Sequence, residues 1–185
     1  MRTTRALRLA IAATLLAGAS VSAHRREDYL QAARIGVEPE GVVITLDLTP
    51  GLAVAEDLVA ALDRDRDGTL SAAERDRFAA QVEGALHLEI DGQAVPLHVV
   101  SSSAPELAAF RRGESAVRLT LRASGPRLPN GAHRLLFRNA YLAGHSAYLA
   151  NALVPESADL TVTAQRRAVD QSVLTLEYTL TDTDR

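Results

Sequence analysis

The chain has 185 residues, of which 20 are basic and 23 are acidic, so that its net charge is −3. Every basic residue is arginine and no cysteine occurs, which excludes disulfide bonds and a cysteine-linked lipid anchor. A mildly acidic chain also argues against nucleic acid as a partner, because that affinity comes largely from basic contacts with phosphate.

Residues 1–23 predict a secretory signal peptide. Three arginines precede an apolar run over 9–17, and small residues follow up to Ala23. The run is too short to span a bilayer, which requires roughly 20 apolar residues. Cleavage would make His24 the first residue of the mature chain. It would change the net charge from −3 to −6, because three arginines and no acids are removed. We therefore expect a periplasmic or secreted protein, without a membrane span, whose residues 24–185 form one domain.

Alternation of apolar and polar residues predicts strands over most of the remaining chain. Residues 42–48 place four aliphatic side chains on one face, and we expect them to pair with 28–37 across the turn at 39–41. Further strands are predicted at 86–90, 95–99, 117–121, 135–137, 148–154, 160–164 and 174–180. About nine short strands predict an antiparallel β-sandwich, Ig-like or similar, with a barrel as the alternative.

Asp91-Gly92 predicts a two-residue hairpin between the strands at 86–90 and 95–99. In that register His87 and His98 are diagonal neighbours, roughly 7–8 Å apart. Two histidines could share a transition metal, but the sequence offers no third ligand, and we interpret both as surface residues.

Residues 52–83 interrupt the alternation with helical spacing. Leu58, Val59 and Leu62 form an apolar stripe on a first helix, and Phe78 and Val82 form one on a second. A shorter helix is predicted at 104–112. The prediction is thus a β-domain carrying an inserted helical hairpin.

The segment between the two helices, DRDRDGTLSAAE, covers residues 63–74 and is rich in oxygen ligands. Calcium takes six to eight oxygen atoms, and a 12-residue loop can provide them. Glycine at position 6 allows a sharp turn, and the side chains of Arg64 and Arg66 point away from the ion and offset part of the loop's charge. The candidate ligands are the carboxylates of Asp63, Asp65, Asp67 and Glu74, the backbone carbonyl of Thr69, and Ser71 directly or through water. An acidic turn that is merely solvated is the competing interpretation.

This segment resembles the EF-hand family over residues 52–83, in its D-x-D-x-D-G-x5-E motif and in its flanking helices. The resemblance implies one bound calcium ion; magnesium fits less well, because it prefers fewer and shorter oxygen contacts. EF-hands normally pair through the apolar residue at position 8, here Leu70. The sequence contains no second loop of this kind, so we expect the single hand to pack on the β-domain or on another copy of the chain.

No catalytic residues are predicted, and we expect a protein that is not an enzyme. Gly144-His145-Ser146 begins like a nucleophile elbow, but Tyr148 stands where the motif requires glycine. No histidine follows Ser146, as that class of hydrolase needs, so we interpret Ser146 as a turn or strand residue.

The order of leader, strand pair, acidic loop and further strands is similar to exported soluble regions ahead of bacterial membrane proteins of the HupE/UreJ type. The likeness depends on the Ala23-His24 junction and on the acidic loop. The sequence differs from those proteins in having no membrane helices, and no site residue is inferred from the likeness.

These observations predict an exported calcium-binding protein whose calcium is structural or sensing. The alternative is a periplasmic adaptor or ligand-binding β-module in which calcium only stabilises the helical hairpin. A protein partner, or a second copy of the chain, would bind through the EF-hand or a β-face.

Overall fold

The computed structural model describes residues 28–124 and 128–181, so the predicted signal peptide and His24 lie outside the described residues. Within that part of the chain the elements follow in the order β1 (Tyr29–Glu38), β2 (Gly41–Thr49), α1 (Ala55–Leu62), α2 (Ala72–Glu83), β3 (Leu86–Ile90), β4 (Gln93–Ala94), β5 (His98–Ser103), α3 (Leu107–Arg111), β6 (Val117–Ser124), β7 (Gly131–Asn139), β8 (Ser146–Ala152), β9 (Leu160–Arg167) and β10 (Val173–Leu180).

The strands form two five-stranded sheets that enclose one apolar core. The first sheet has the order β5-β6-β2-β1-β8, and the second has the order β4-β3-β7-β10-β9. Aliphatic and aromatic side chains from both sheets form a single buried cluster, as alternating inward positions require. The mainly β sandwich predicted from the alternation is confirmed, and the two separate sheets distinguish it from the barrel alternative.

The pairing of β1 with β2 follows the predicted hairpin. Val37 lies opposite Val42, and the register continues to Leu30 opposite Thr49. The inward positions of β2 are fully buried aliphatic residues, which is why a shift of one residue would expose the whole face.

One strand pair departs from the antiparallel arrangement that was predicted for the sandwich. Strand β8 runs parallel to β1, with Tyr29 opposite Ser146. Strand β7 ends near the start of β1, and the short connection at 140–145 places β8 beside β1 in the same direction. The predicted strand at 148–154 is present as β8, two residues earlier along the chain.

The strand predicted at 95–99 is replaced by two separate strands. Asp91 and Gly92 both have positive φ, 53° and 78°, as a tight hairpin turn requires. Strand β4 ends after two residues, however, and β5 pairs with β6 in the other sheet. Pro96 has no backbone N–H to donate and interrupts the ladder between them.

The helices occupy the predicted segments with shorter bounds. Helices α1 and α2 lie within the predicted helical segment at 52–83, and α3 lies within 104–112. Leu58, Val59 and Leu62 of α1, with Phe78 and Val82 of α2, belong to the same buried cluster as the sheets. In the ranges 28–124 and 128–181, none of the helices combines the length and the apolar character needed to cross a membrane.

Candidate metal centre

The acidic loop begins where α1 ends. Leu62 is buried in the core, and Asp63 closes the helix with its backbone N–H bonded to the Val59 carbonyl at 2.8 Å. The chain then turns with positive φ at Arg66 (60°) and Gly68 (84°). A left-handed conformation favours glycine, which is the reason for glycine at position 6 of the loop.

The loop ends in a capping box at the start of α2. The Ser71 hydroxyl accepts a hydrogen bond from the Glu74 backbone N–H at 3.3 Å. In return the Glu74 carboxylate accepts from the Ser71 backbone N–H at 3.0 Å and from its hydroxyl at 2.8 Å. These bonds satisfy helix N–H groups that have no partner inside the helix.

Three of the predicted ligands converge. One carboxylate oxygen from each of Asp63, Asp65 and Asp67 lies within 4.8 Å of the other two. Asp63 is buried at the base of the loop, whereas Asp65 and Asp67 are exposed. Such a spacing is small enough for one cation to contact all three oxygens.

Backbone amides hold these carboxylates inside the loop. Asp63 accepts from the amides of Asp67 at 3.1 Å and Gly68 at 3.0 Å. Asp65 accepts from the same Asp67 amide at 3.2 Å. Short turns of this kind are typical of aspartate, whose side chain bonds to backbone two or more residues ahead. The result is that both carboxylates face the interior of the loop.

Glu74 is not part of the aspartate cluster. Its carboxylate accepts a third bond, from the Arg64 backbone N–H at 2.7 Å, and the residue is only 5% exposed. The hydrogen bonds from Ser71, and then that from Arg64, lower the pKa of Glu74 to about 2. Glu74 is therefore anionic at neutral pH and joins the two ends of the loop.

The remaining predicted ligands are engaged within the loop. The Thr69 amide and hydroxyl both donate to Asp67 Oδ1 at 2.8 Å, so that the side chain of Thr69 supports a neighbouring acid. Ser71 serves as the helix cap described above. The ligand predicted from Thr69 is its backbone carbonyl, and the two hydrogen bonds from Thr69 to Asp67 do not involve that group.

Two arginines of α2 connect the loop to its surroundings. Arg75 donates to the Leu70 carbonyl at 2.5 Å, at the position through which paired hands would contact each other. Arg77 donates to the Leu62 carbonyl at 3.3 Å and so contacts the carboxyl end of α1. Leu70 itself packs against the core. The loop is thus connected to both helices and to the core by contacts within its own chain.

The other candidates from the sequence do not form sites. His87 and His98 lie in different sheets and contact different acids, Glu89 at 2.7 Å and Glu83 at 3.7 Å. The predicted diagonal pair of histidines is therefore wrong, because Pro96 interrupts the strand and His98 pairs in the other sheet. The Ser146 hydroxyl lies at the start of β8 and donates to the Leu142 carbonyl at 2.9 Å.

A buried polar bridge between the sheets was not predicted. The side-chain amide of Asn139 on β7 donates to Oε1 of Gln31 on β1 at 2.8 Å, and both residues are almost completely buried. Gln31 also donates to the Tyr141 carbonyl and the Ser146 hydroxyl. Each residue is a polar side chain at an inward position of an alternating strand. A polar residue at such a position indicates a buried hydrogen bond, and this pattern could have identified the pair.

Comparisons of the chain with protein-family models, with curated proteins and with solved structures found no match.

Proposed function

We propose that this protein is an exported, non-enzymatic calcium-binding protein whose ion is held by the loop at 63–74. The observation that carries the proposal is the approach of Asp63, Asp65 and Asp67, whose oxygens lie within 4.8 Å of one another. Like charges at this separation repel, and a hard divalent cation between them removes that repulsion. The resemblance to the EF-hand motif supports calcium as the ion.

Binding requires Glu74 to change partners. To act as the twelfth-position ligand, its carboxylate must give up the amides of Arg64 and Ser71, now at 2.7 and 3.0 Å. The loss of these hydrogen bonds offsets part of the energy gained from the ion. This exchange is consistent with the weak affinity of extracellular calcium modules, with a Kd on the order of 10⁻⁴–10⁻³ M.

The burial of the helices favours a structural role for the ion over a sensing role. Leu62 and Phe78, which flank the loop, are both nearly inaccessible and pack in the core of the sandwich. An opening of the two helices would expose these side chains. At tenfold excess over its Kd, calcium would add about 1.4 kcal/mol to the free energy of unfolding.

Calorimetric titration of calcium into the purified protein tests the proposal. We expect one site per chain, and Glu74→Gln should weaken it at least tenfold. The matched control is Asp76→Asn, because Asp76 is an exposed acid on the same helix that makes no hydrogen bond or ion pair within the described ranges. Equal affinities in the wild type and Glu74→Gln would contradict the assignment, and so would an equal loss in Asp76→Asn.

The second candidate is an adaptor or ligand-binding module that calcium merely stabilises. The incorporation of both helices into the β core supports this candidate, because an ion that stiffens the hairpin would then also stabilise the β-domain to which a partner binds. Co-purification with and without a chelator distinguishes the candidates. Partner retention that ignores calcium supports the adaptor, whereas partner release by the chelator supports calcium-dependent function.

A further inference from the structure

A cavity of about 430 Å³ lies between the two sheets at the end of the sandwich where the β1–β2 turn and the β3–β4 hairpin meet. Small-molecule sites typically occupy roughly 300–1,000 Å³. The lining residues include none from the acidic loop at 63–74. The cavity is therefore separate from the candidate metal centre.

The walls of the cavity are apolar. Both sheets contribute, since β1, β2 and β6 belong to one and β3 and β10 to the other. The main apolar wall residues are Val37, Val42, Ile90, Ala123, Leu128 and Leu180. Contact between apolar surface and water is unfavourable. A ligand that buries this surface gains roughly 25 cal/mol of binding free energy per Å².

One polar group in the wall makes no hydrogen bond within the described ranges. Tyr178 lines the cavity and is 1% exposed, yet its hydroxyl makes no hydrogen bond to any residue of 28–124 or 128–181. Burial, and the nearby charge of Asp91, raise the pKa of Tyr178 to about 12. The hydroxyl therefore keeps its proton at neutral pH and is free to donate to, or accept from, a bound molecule.

The polar side of the cavity is acidic. Three of its described lining residues are acids, namely Glu38, Glu40 and Asp91, and none is basic. Two of these acids already have ion-pair partners, because Glu38 lies 3.7 Å from Arg122 and Asp91 lies 2.7 Å from His133. Glu40 is exposed and has no ion pair in the described part of the chain. A positive charge on the ligand would complement it.

From these observations we propose that the cavity binds a small cationic amphiphile, with its apolar chain between the sheets and its cationic group beside Glu40. The Tyr178 hydroxyl contacts the polar part of the molecule. An anionic amphiphile is disfavoured by the unpaired charge of Glu40, and a neutral one gains only the apolar contact and the Tyr178 hydrogen bond. This site does not depend on the calcium proposal.

Three probes of equal chain length test the proposal by calorimetry: n-octylammonium, octanol and octanoate. The titrations are run in the presence of a chelator, so that failure here leaves the calcium proposal untouched. We expect octylammonium to bind one molecule per chain, at least tenfold more tightly than octanoate, with octanol between them. Absence of octylammonium binding, or equal affinity for octylammonium and octanoate, would overturn the proposal.

Variants locate the bound probe. Glu40→Gln should weaken octylammonium about three- to fivefold without affecting octanol, as expected for an exposed ion pair. Glu106→Gln, at an exposed acid preceding α3, is the matched control and should leave both affinities unchanged. Tyr178→Phe should weaken octanol about fivefold through loss of one hydrogen bond. Identical affinities in Glu40→Gln and Glu106→Gln would contradict the position of the cationic group.

A cavity-filling change provides the steric test. Ala123 lies on the wall and is buried, so that Ala123→Phe occupies the space from within. In a variant that retains the wild-type circular dichroism spectrum, we expect loss of octylammonium binding, and retained binding would place the probe elsewhere. If Ala123→Phe does not fold, the smaller Ala123→Val should still weaken binding, and an unchanged affinity would overturn the proposal.

Discussion

The Glu74 carboxylate accepts a hydrogen bond at 2.7 Å from the backbone N–H of Arg64, ten residues earlier in the chain. This bond joins the second and the last positions of the acidic loop. Together with the capping bonds to Ser71, it means that the Glu74 carboxylate both closes the loop and caps the start of α2.

Acid should therefore destabilise the metal-free protein partly through Glu74. Its pKa is lowered from 4.5 to about 2 in the folded state, so the stabilisation is complete above pH 4.5 and is lost as the pH falls towards 2. We expect Glu74→Gln to remove this part of the pH dependence. Urea denaturation in a chelator at pH 5 and pH 2.5 measures it, and equal losses of stability in both proteins would contradict the prediction.

Gly68 and Gly92 form a matched pair for testing the loop. Both have positive φ, 84° and 78°, and a Cβ at either would meet no atom within 4 Å. Alanine at either position should cost about 1–2 kcal/mol of stability, from backbone strain alone. Only Gly68→Ala should also weaken calcium, as measured by calorimetry. A loss of calcium affinity of the same size in Gly92→Ala would show that the effect is not specific to the loop.

The Gln31–Asn139 bridge should stabilise the sandwich. Asn139→Leu leaves the buried side-chain oxygen Oε1 of Gln31 without its donor, and we expect a loss of about 1–3 kcal/mol in the free energy of unfolding. Replacing both residues by leucine should cost less than the sum of the single changes, by at least about 0.5 kcal/mol. Strict additivity in this double-mutant cycle would show that the two side chains are not coupled.

His133 should make stability depend on pH above 6.5. Burial lowers its pKa, but hydrogen bonds to Asp91 at 2.7 Å and to the Pro129 carbonyl at 2.8 Å outweigh it, and the net shift is upward from 6.5. A raised pKa means that the stabilisation is complete below pH 6.5 and disappears as the pH rises through the folded-state value. NMR titration should find the His133 pKa above 6.5. Urea denaturation at pH 6 and pH 8.5 should show a loss that His133→Gln lacks; a pKa at or below 6.5 would contradict this.

Most of the β framework followed from alternation because one face of each strand is buried. The pairing of 28–37 with 42–48 could be predicted since the apolar face of β2 allows only one register. The parallel contact between β1 and β8 could not, because a strand's own residues do not determine which neighbour lies beside it. Val95, Leu97 and Val99 alternate like one strand face, but Pro96 interrupts the strand. As a result β4 pairs in one sheet and β5 pairs in the other.

The aspartate part of the candidate centre could be predicted from the sequence, whereas the contacts of Glu74 could not. The spacing of Asp63, Asp65 and Asp67 with Gly68 specifies a tight turn, and the three carboxylates do converge. The partners of Glu74 could not be anticipated from ligand spacing, because a serine three residues before a glutamate also forms a capping box. The same residue can thus serve two competing arrangements, of which the structure contains the helix cap.

The structure of the protein with calcium bound tests the central claim most directly. We expect one ion among Asp63, Asp65 and Asp67, with both Glu74 oxygens turned onto it and ligand distances of about 2.3–2.6 Å. The hydrogen bonds from Ser71 and Arg64 to the Glu74 carboxylate should then be broken. A structure at saturating calcium in which those bonds persist and no ion lies among the three aspartates would contradict the account.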